Sequence, residues 1–156
     1  MKIILIISVF LFAFSNTTAQ NDLQVYLETF KDSFGIIKND VCVKQDDMPV
    51  VKLFRQSLEL EYFEVLILSD TSFCFLLQTF PFCSYSKYVQ NSSGTWDVMT
   101  ASHIMTHDTR HYRIDPHEPD VCSLLGEDQI LVKKDDGTEY IVTARPFGEG
   151  LKAKKD

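Results

Sequence analysis

The amino-acid sequence predicts a mainly β domain of the α+β class, in which one N-terminal helix precedes about eight antiparallel strands. Residues 22–34 carry apolar side chains at helical spacing, and later segments are rich in β-branched and aromatic residues. Short polar turns separate these segments, so neighbouring strands should be antiparallel. We expect the sheet to close into a β-barrel, because closure removes exposed strand edges. A cystatin-like helix on a curved sheet is the alternative.

The first residues have the pattern of a secretory signal peptide. Lys2 supplies a positive charge, residues 3–14 are uniformly apolar, and Thr17 and Ala19 are small residues suited to a cleavage site. The apolar run is too short for a permanent membrane anchor. We therefore expect a secreted, extracellular protein with a signal peptide at 1–19, a single β-rich domain at 20–147 and a flexible charged tail at 148–156.

The helix is predicted from capping and spacing. Asn21 and Gln24 have the spacing of a capping box, and apolar residues then recur every three or four positions. The strands are predicted from alternation, which is clearest around Asp136-Gly137, where two alternating runs flank a hairpin turn. Asn91 begins an N-x-S glycosylation sequon in a predicted loop, so we expect a glycoprotein.

Composition limits the function classes. The net charge of −7 disfavours nucleic acid and anionic membranes as partners. The sequence has no phosphate-binding glycine-rich loop, no G-x-S-x-G nucleophile elbow and no HExxH zinc motif. We therefore expect no enzymatic activity and no cofactor. The expected partner is a small hydrophobic or amine ligand, or an extracellular protein.

The chain has four cysteines, Cys42, Cys74, Cys83 and Cys122. An even number in a secreted protein indicates two disulfides, and three pairings are possible. We favour Cys74–Cys83, which closes a short loop, nested inside Cys42–Cys122.

All four histidines lie between residues 103 and 117. A tight turn at 106–108 would place His103 opposite His111 on neighbouring strands, and two imidazoles at that separation can share Zn²⁺ or Cu²⁺. His107, Asp108 or His117 could complete such a site. A pH-responsive patch and a group of solvated polar residues are the alternatives.

Aromatic residues crowd the middle strands. Phe63, Phe75, Tyr88 and Trp96 are the candidates for the lining of a small-ligand pocket, with an ordinary aromatic core as the alternative. These residues lead to the first functional hypothesis, an extracellular protein that binds or sequesters a small ligand. The second is a protein-interaction module or inhibitor that presents loops such as 81–84 and 115–120. The third is a secreted metal-binding protein that uses the histidine cluster.

The end of the chain resembles a known family. The segment TEYIVTARPF, residues 138–147, resembles the closing strand of lipocalins, in which alternating aromatic and apolar residues precede an arginine. GTWD, residues 94–97, resembles the G-x-W motif of that family, although it falls in mid-chain here and on the first strand in lipocalins. The resemblance implies a barrel with a cavity for a small hydrophobic or amine ligand, with Arg145 as the barrel-closing arginine.

Overall fold

The structure, a computed structural model, describes residues 23–57, 60–79, 82–106 and 120–148. These residues form eleven strands and no helix, in three open antiparallel sheets. The strands are β1 Leu23–Lys31, β2 Ile37–Gln45, β3 Val51–Gln56, β4 Tyr62–Ser69, β5 Ser72–Thr79, β6 Phe82–Gln90, β7 Trp96–Met105, β8 Val121–Gly126, β9 Gln129–Lys133, β10 Glu139–Thr143 and β11 Arg145–Pro146.

The described residues fall into two compact units, divided between Glu59 and Leu60. Unit 1 holds a three-stranded sheet in the order β1-β2-β3. Unit 2 holds a five-stranded sheet in the order β11-β7-β6-β5-β4 and a three-stranded sheet in the order β10-β9-β8. The single domain at 20–147 stays a prediction. The predicted signal peptide, and all but the first residue of the predicted tail, lie outside the described residues.

Three hairpin turns share one backbone geometry. In each, the first residue donates its N–H to the carbonyl four positions later, and a glycine at the fourth position donates to the first residue's carbonyl. These glycines have positive φ, a conformation that other residues adopt only with strain. The turns span 32–36, 91–95 and 134–138, and the glycines are Gly35, Gly94 and Gly137, with φ of 79°, 83° and 84°. The predicted hairpin at Asp136-Gly137 is thereby confirmed.

The helix predicted at 22–34 is wrong, because strand β1 occupies most of this segment. β1 pairs with β2 along its whole length, from Leu23 opposite Gln45 to Lys31 opposite Ile37. The turn at 32–36 makes this pairing possible, since the Asp32 carboxylate accepts the backbone N–H groups of Phe34 and Ile36 at 2.9 and 3.0 Å. Tertiary pairing therefore overrides the helical spacing of the apolar residues.

The predicted barrel is also wrong, because the described strands form three separate open sheets. The cystatin-like alternative fails with it, since the described residues contain no helix. At the edge of the larger sheet, β11 pairs with β7 at only two positions, Arg145 opposite Ala101 and Pro146 opposite Thr100, and the Phe147 N–H then donates to the Met99 carbonyl at 2.8 Å. β10 instead pairs with β9 in the second sheet of unit 2.

The two sheets of unit 2 share one hydrophobic core, as in a β-sandwich. Its fully buried members come from β5 and β6 of the larger sheet and from β8 and β9 of the smaller one: Cys74, Leu76, Cys83, Tyr85, Cys122, Ile130 and Val132. Successive residues of a strand point to opposite faces, so the alternate residues of β5, among them Phe73 and Phe75, lie on the other face of the larger sheet.

Candidate functional site

The face of the five-stranded sheet that points away from this core carries a row of aromatic rings, here called the aromatic row. It consists of Phe63, Phe75, Tyr88, Phe73 and Trp96. Ring centroids are 6.2 Å apart for Phe63–Phe75, 5.9 Å for Phe75–Tyr88, 5.7 Å for Phe73–Tyr88 and 5.1 Å for Phe73–Trp96. Strand register produces the row, because Tyr88 of β6 lies directly opposite Phe73 of β5.

The structure thus brings together all four predicted pocket residues. It adds Phe73, which was not among the predicted lining residues, although a strand places Phe73 on the same face as Phe75. Phe73 and Phe75 are 0% and 1% exposed, and burial raises the pKa of Tyr88. The centroid distances are those of directly packed rings. The aromatic row is therefore a packed apolar cluster, and its role as a pocket lining stays a prediction.

A second feature lies at the end of unit 2 where β6 and β8 begin and β7 finishes. We call residues 82–84, 105–106 and 120–122 the disulfide end, because a disulfide joins Cys83 to Cys122. In the pairing of β6 with β7, Phe82 lies opposite Met105. The Asp120 N–H donates to the Thr106 carbonyl at 2.9 Å. Backbone pairing and a covalent bond therefore hold three chain segments together.

Gln78 strengthens the disulfide end from within the sheet. Its Oε1 accepts the Cys122 backbone N–H at 3.1 Å, and its Nε2 donates to the Asp120 carbonyl at 2.8 Å. The Gln78 side chain is nearly buried, so these bonds have little competition from water. Sequence reasoning missed Gln78, and only its position in a predicted buried strand could have marked it.

The disulfide end exposes apolar side chains on this fixed backbone. Phe82 and Met105, which lie opposite each other in the ladder, are 38% and 56% exposed, and Val121 of the smaller sheet is 56% exposed. Polar groups lie beside the Phe82–Met105 pair, since Ser84 follows on β6 and its Oγ is 2.9 Å from Nδ1 of His103. An apolar centre with polar neighbours is the composition found at protein–protein interfaces.

Both predicted disulfide pairings are wrong. Cys83 lies opposite Gln78 in the β5–β6 ladder, whereas Cys74 lies opposite Lys87. Four residues of strand, roughly 13 Å, therefore separate Cys74 from the position opposite Cys83. A disulfide needs Cα atoms within about 7 Å. Cys42 and Cys74 are buried free thiols.

The two free thiols are in apolar or acidic surroundings. Burial raises the pKa of both Cys42 and Cys74 to about 11, and the neighbouring Glu28 carboxylate adds to the effect at Cys42. Thiolates are the reactive form, so neither cysteine is activated as a nucleophile at neutral pH.

The predicted histidine site is only partly within the described residues. His103 is an exposed residue of β7, and His107, His111 and His117 lie outside the described part of the chain. Within the described ranges, no group of three or more His, Cys, Asp or Glu side chains could hold a metal ion. Metal binding by the histidine cluster stays a prediction.

Unit 1 contains a charged network that sequence reasoning also missed. The Asp40 side chain is 1% exposed and accepts two hydrogen bonds from Arg55, at 2.7 and 2.9 Å, and one from Lys52 at 3.1 Å. Lys52 also pairs with Glu28 at 2.7 Å. Hydrogen bonds from Arg55 are the main cause that lowers the pKa of Asp40. The two cations lie over the Phe30 ring, which favours them further. Every charged group of the network has a partner, which is typical of a structural role.

Two other predicted residues have clear positions. Arg145 is an exposed residue of the short strand β11, and its backbone N–H donates to Ser102 Oγ at 3.2 Å. The barrel that it was expected to close is not formed by the described strands. Asn91 is exposed in the turn between β6 and β7.

Comparisons with known proteins add no family. No protein-family model, curated protein or solved structure matches the chain significantly. The lipocalin resemblance accordingly stays a resemblance of short motifs. The described part of the chain contains no helix that could span a membrane.

Proposed function

We propose that this chain is an extracellular protein-interaction module that binds a protein partner through the disulfide end. One observation carries the proposal. The exposed Phe82 and Met105 lie opposite each other on β6 and β7, on a backbone that the Cys83–Cys122 disulfide joins to β8. The disulfide supports an oxidising compartment, in agreement with the signal-like residues 1–19.

Rigidity and chemistry both favour a protein partner. Binding costs less free energy when the contacting backbone is already ordered, and here a disulfide, a β ladder and the Gln78 hydrogen bonds order it. Phe82 and Met105 offer an aromatic and a flexible thioether surface, residue types that are enriched at interfaces. The sequence also led us to expect that residues 81–84 contact a partner, but as a loop, whereas residues 82–84 belong to strand β6.

The proposal is tested with a photo-crosslinking amino acid at position 82, in cells that secrete the chain. A protein crosslinked there is then purified, and its affinity is measured for the wild type and for Phe82→Ser/Met105→Ser. We expect the double variant to bind at least about tenfold more weakly. The matched control is Met99→Ser, because Met99 is 50% exposed on the same strand as Met105. Equal affinities of the double variant and wild type would reject the disulfide end as the binding surface.

The aromatic row favours a second candidate, the binding of a small hydrophobic or amine ligand. Five rings form a row along one sheet face in which each ring packs against the next, and Trp96 is the only tryptophan of the chain. Trp96 fluorescence should then respond saturably to a bound hydrophobic probe. Native mass spectrometry of the secreted protein should also show a non-covalent small molecule. If neither is seen, this candidate fails without affecting the first.

A further inference from the structure

Asn91 combines a sequence motif with an accessible position. Asn91, Ser92 and Ser93 form an N-x-S sequon, and residues 91–95 are all exposed. They form the tip of the hairpin between β6 and β7, where the Asn91 N–H donates to the Thr95 carbonyl at 2.9 Å. The acceptor asparagine is therefore at the surface of the folded chain.

The side chains of the sequon are already oriented. Asn91 Oδ1 accepts the Ser93 hydroxyl at 2.6 Å and the backbone N–H groups of Ser93 and Thr95 at 3.0 and 3.1 Å. Asn91 Nδ2 points to the other side, where it donates to the exposed Asp97 carboxylate at 2.9 Å. The amide oxygen thus faces the turn, and the amide nitrogen faces the exposed surface.

We propose that Asn91 carries an N-linked glycan. In this reaction the amide nitrogen forms a bond to the anomeric carbon of a sugar, whose bond to a lipid-linked diphosphate breaks. The diphosphate leaves with the electron pair, and the amide loses one proton. The proposal rests on the extracellular location in the proposed function, because the donor is available only along the secretory pathway.

A glycan at Asn91 leaves the disulfide end free. Asn91 follows the last residue of β6, whereas Phe82 is the first, so the strand separates the two by roughly 30 Å. The turn between β4 and β5 lies at the same end of the sheet as Asn91, since Gln90 donates its N–H to the Thr71 carbonyl at 2.8 Å. The glycan would cover these polar turns, and the apolar side chains at the other end would remain accessible to a protein.

The test is the intact mass of the full chain secreted from eukaryotic cells, before and after treatment with a peptide N-glycosidase. We expect a glycan mass that the enzyme removes, leaving aspartate at position 91. Asn91→Gln and Ser93→Ala should lose the glycan, whereas Ser93→Thr and the matched control Ser92→Ala should keep it. A secreted wild-type chain without a glycan would overturn the proposal.

A second expression experiment separates this proposal from the proposed location. The chain is also produced with an established signal peptide in place of residues 1–19. If the chain with the established signal peptide is glycosylated but the chain with its own residues 1–19 is not secreted, the result supports the Asn91 site and contradicts the extracellular location. Secretion of this form without a glycan overturns the Asn91 site alone.

Discussion

Gln78 of β5 holds Cys122 of β8 through a hydrogen bond of 3.1 Å from the cysteine's backbone N–H to the amide Oε1. The same side chain holds the Asp120 carbonyl through its Nε2. The two sheets of unit 2 are therefore connected beside the disulfide by a buried amide that satisfies two backbone groups.

The first prediction concerns this amide. Gln78→Ala leaves the Cys122 N–H and the Asp120 carbonyl without their partner, so we expect unfolding free energy to fall by about 2–4 kcal/mol. Denaturant unfolding measures the change. Gln129→Ala is the control, because Gln129 is exposed and its truncation should cost less than about 0.5 kcal/mol. Equal effects of the two substitutions would show that the buried hydrogen bonds contribute nothing specific.

The second prediction concerns the cysteines. A thiol reagent should detect two free thiols, Cys42 and Cys74, once the unreduced protein is denatured, and far less reaction before denaturation, because both are buried. Peptide mapping should find Cys83 linked to Cys122. No free thiols after denaturation, or a Cys74–Cys83 peptide, would contradict the structure.

The disulfide itself should contribute strongly to stability. The bridge spans a sequence separation of 39, and the chain-entropy model then gives about 4 kcal/mol for a loop of this length. Cys83→Ala/Cys122→Ala should lower unfolding free energy by an amount of this order. Reduction of the wild type should lower its unfolding free energy by a similar amount. The stability of the double variant should not change with reducing agent, which makes this variant the internal control.

The third prediction concerns the aromatic row. Phe73 is fully buried between Tyr88 and Trp96, so Phe73→Ala should cost about 3–5 kcal/mol through lost burial and a cavity. Trp96 emission should shift to longer wavelength as water approaches the indole. Phe34→Ala is the control, because Phe34 is 86% exposed in a turn of unit 1. Unchanged Trp96 emission in Phe73→Ala would argue against the packing of these two rings.

The fourth prediction concerns the pH dependence of stability. The pKa of Asp40 is lowered in the folded chain, so the carboxylate contributes stability above its ordinary pKa of 3.8 and loses it as the pH falls through the folded value. Arg55→Gln removes the main cause of this shift. The variant should be less stable than wild type at pH 7, and the difference should narrow below about pH 4.

Denaturant unfolding at a series of pH values measures this narrowing. Arg145→Gln is the matched control. Arg145 is exposed on β11, and its substitution removes the same charge as Arg55→Gln. A constant difference between Arg55→Gln and wild type from pH 7 to pH 3 would show that Asp40 is not the group responsible.

Local patterns in the sequence determined much of the strand content. Apolar and aromatic content indicated β4 and β5, and alternation indicated the β9–β10 hairpin, because it reflects the two-residue period of a strand. Turn residues were equally informative, because Gly94 and Gly137 occupy positions that require positive φ. The clustering of Phe63, Phe75, Tyr88 and Trp96 was also anticipated, since these residues lie on consecutive strands of one sheet.

Only the tertiary structure decided which strands pair and which cysteines meet. Residues 23–31 fit both a helix and a strand by spacing, and their pairing with β2 selects the strand. The Cys83–Cys122 bond depends on the approach of two sheets, which no local pattern encodes. The roles of Gln78 and Asp40 were likewise decided by the tertiary structure, because their hydrogen-bond partners are distant in sequence. Short-range periodicity is a property of the amino-acid sequence, whereas long-range contacts arise from the combined packing of all strands.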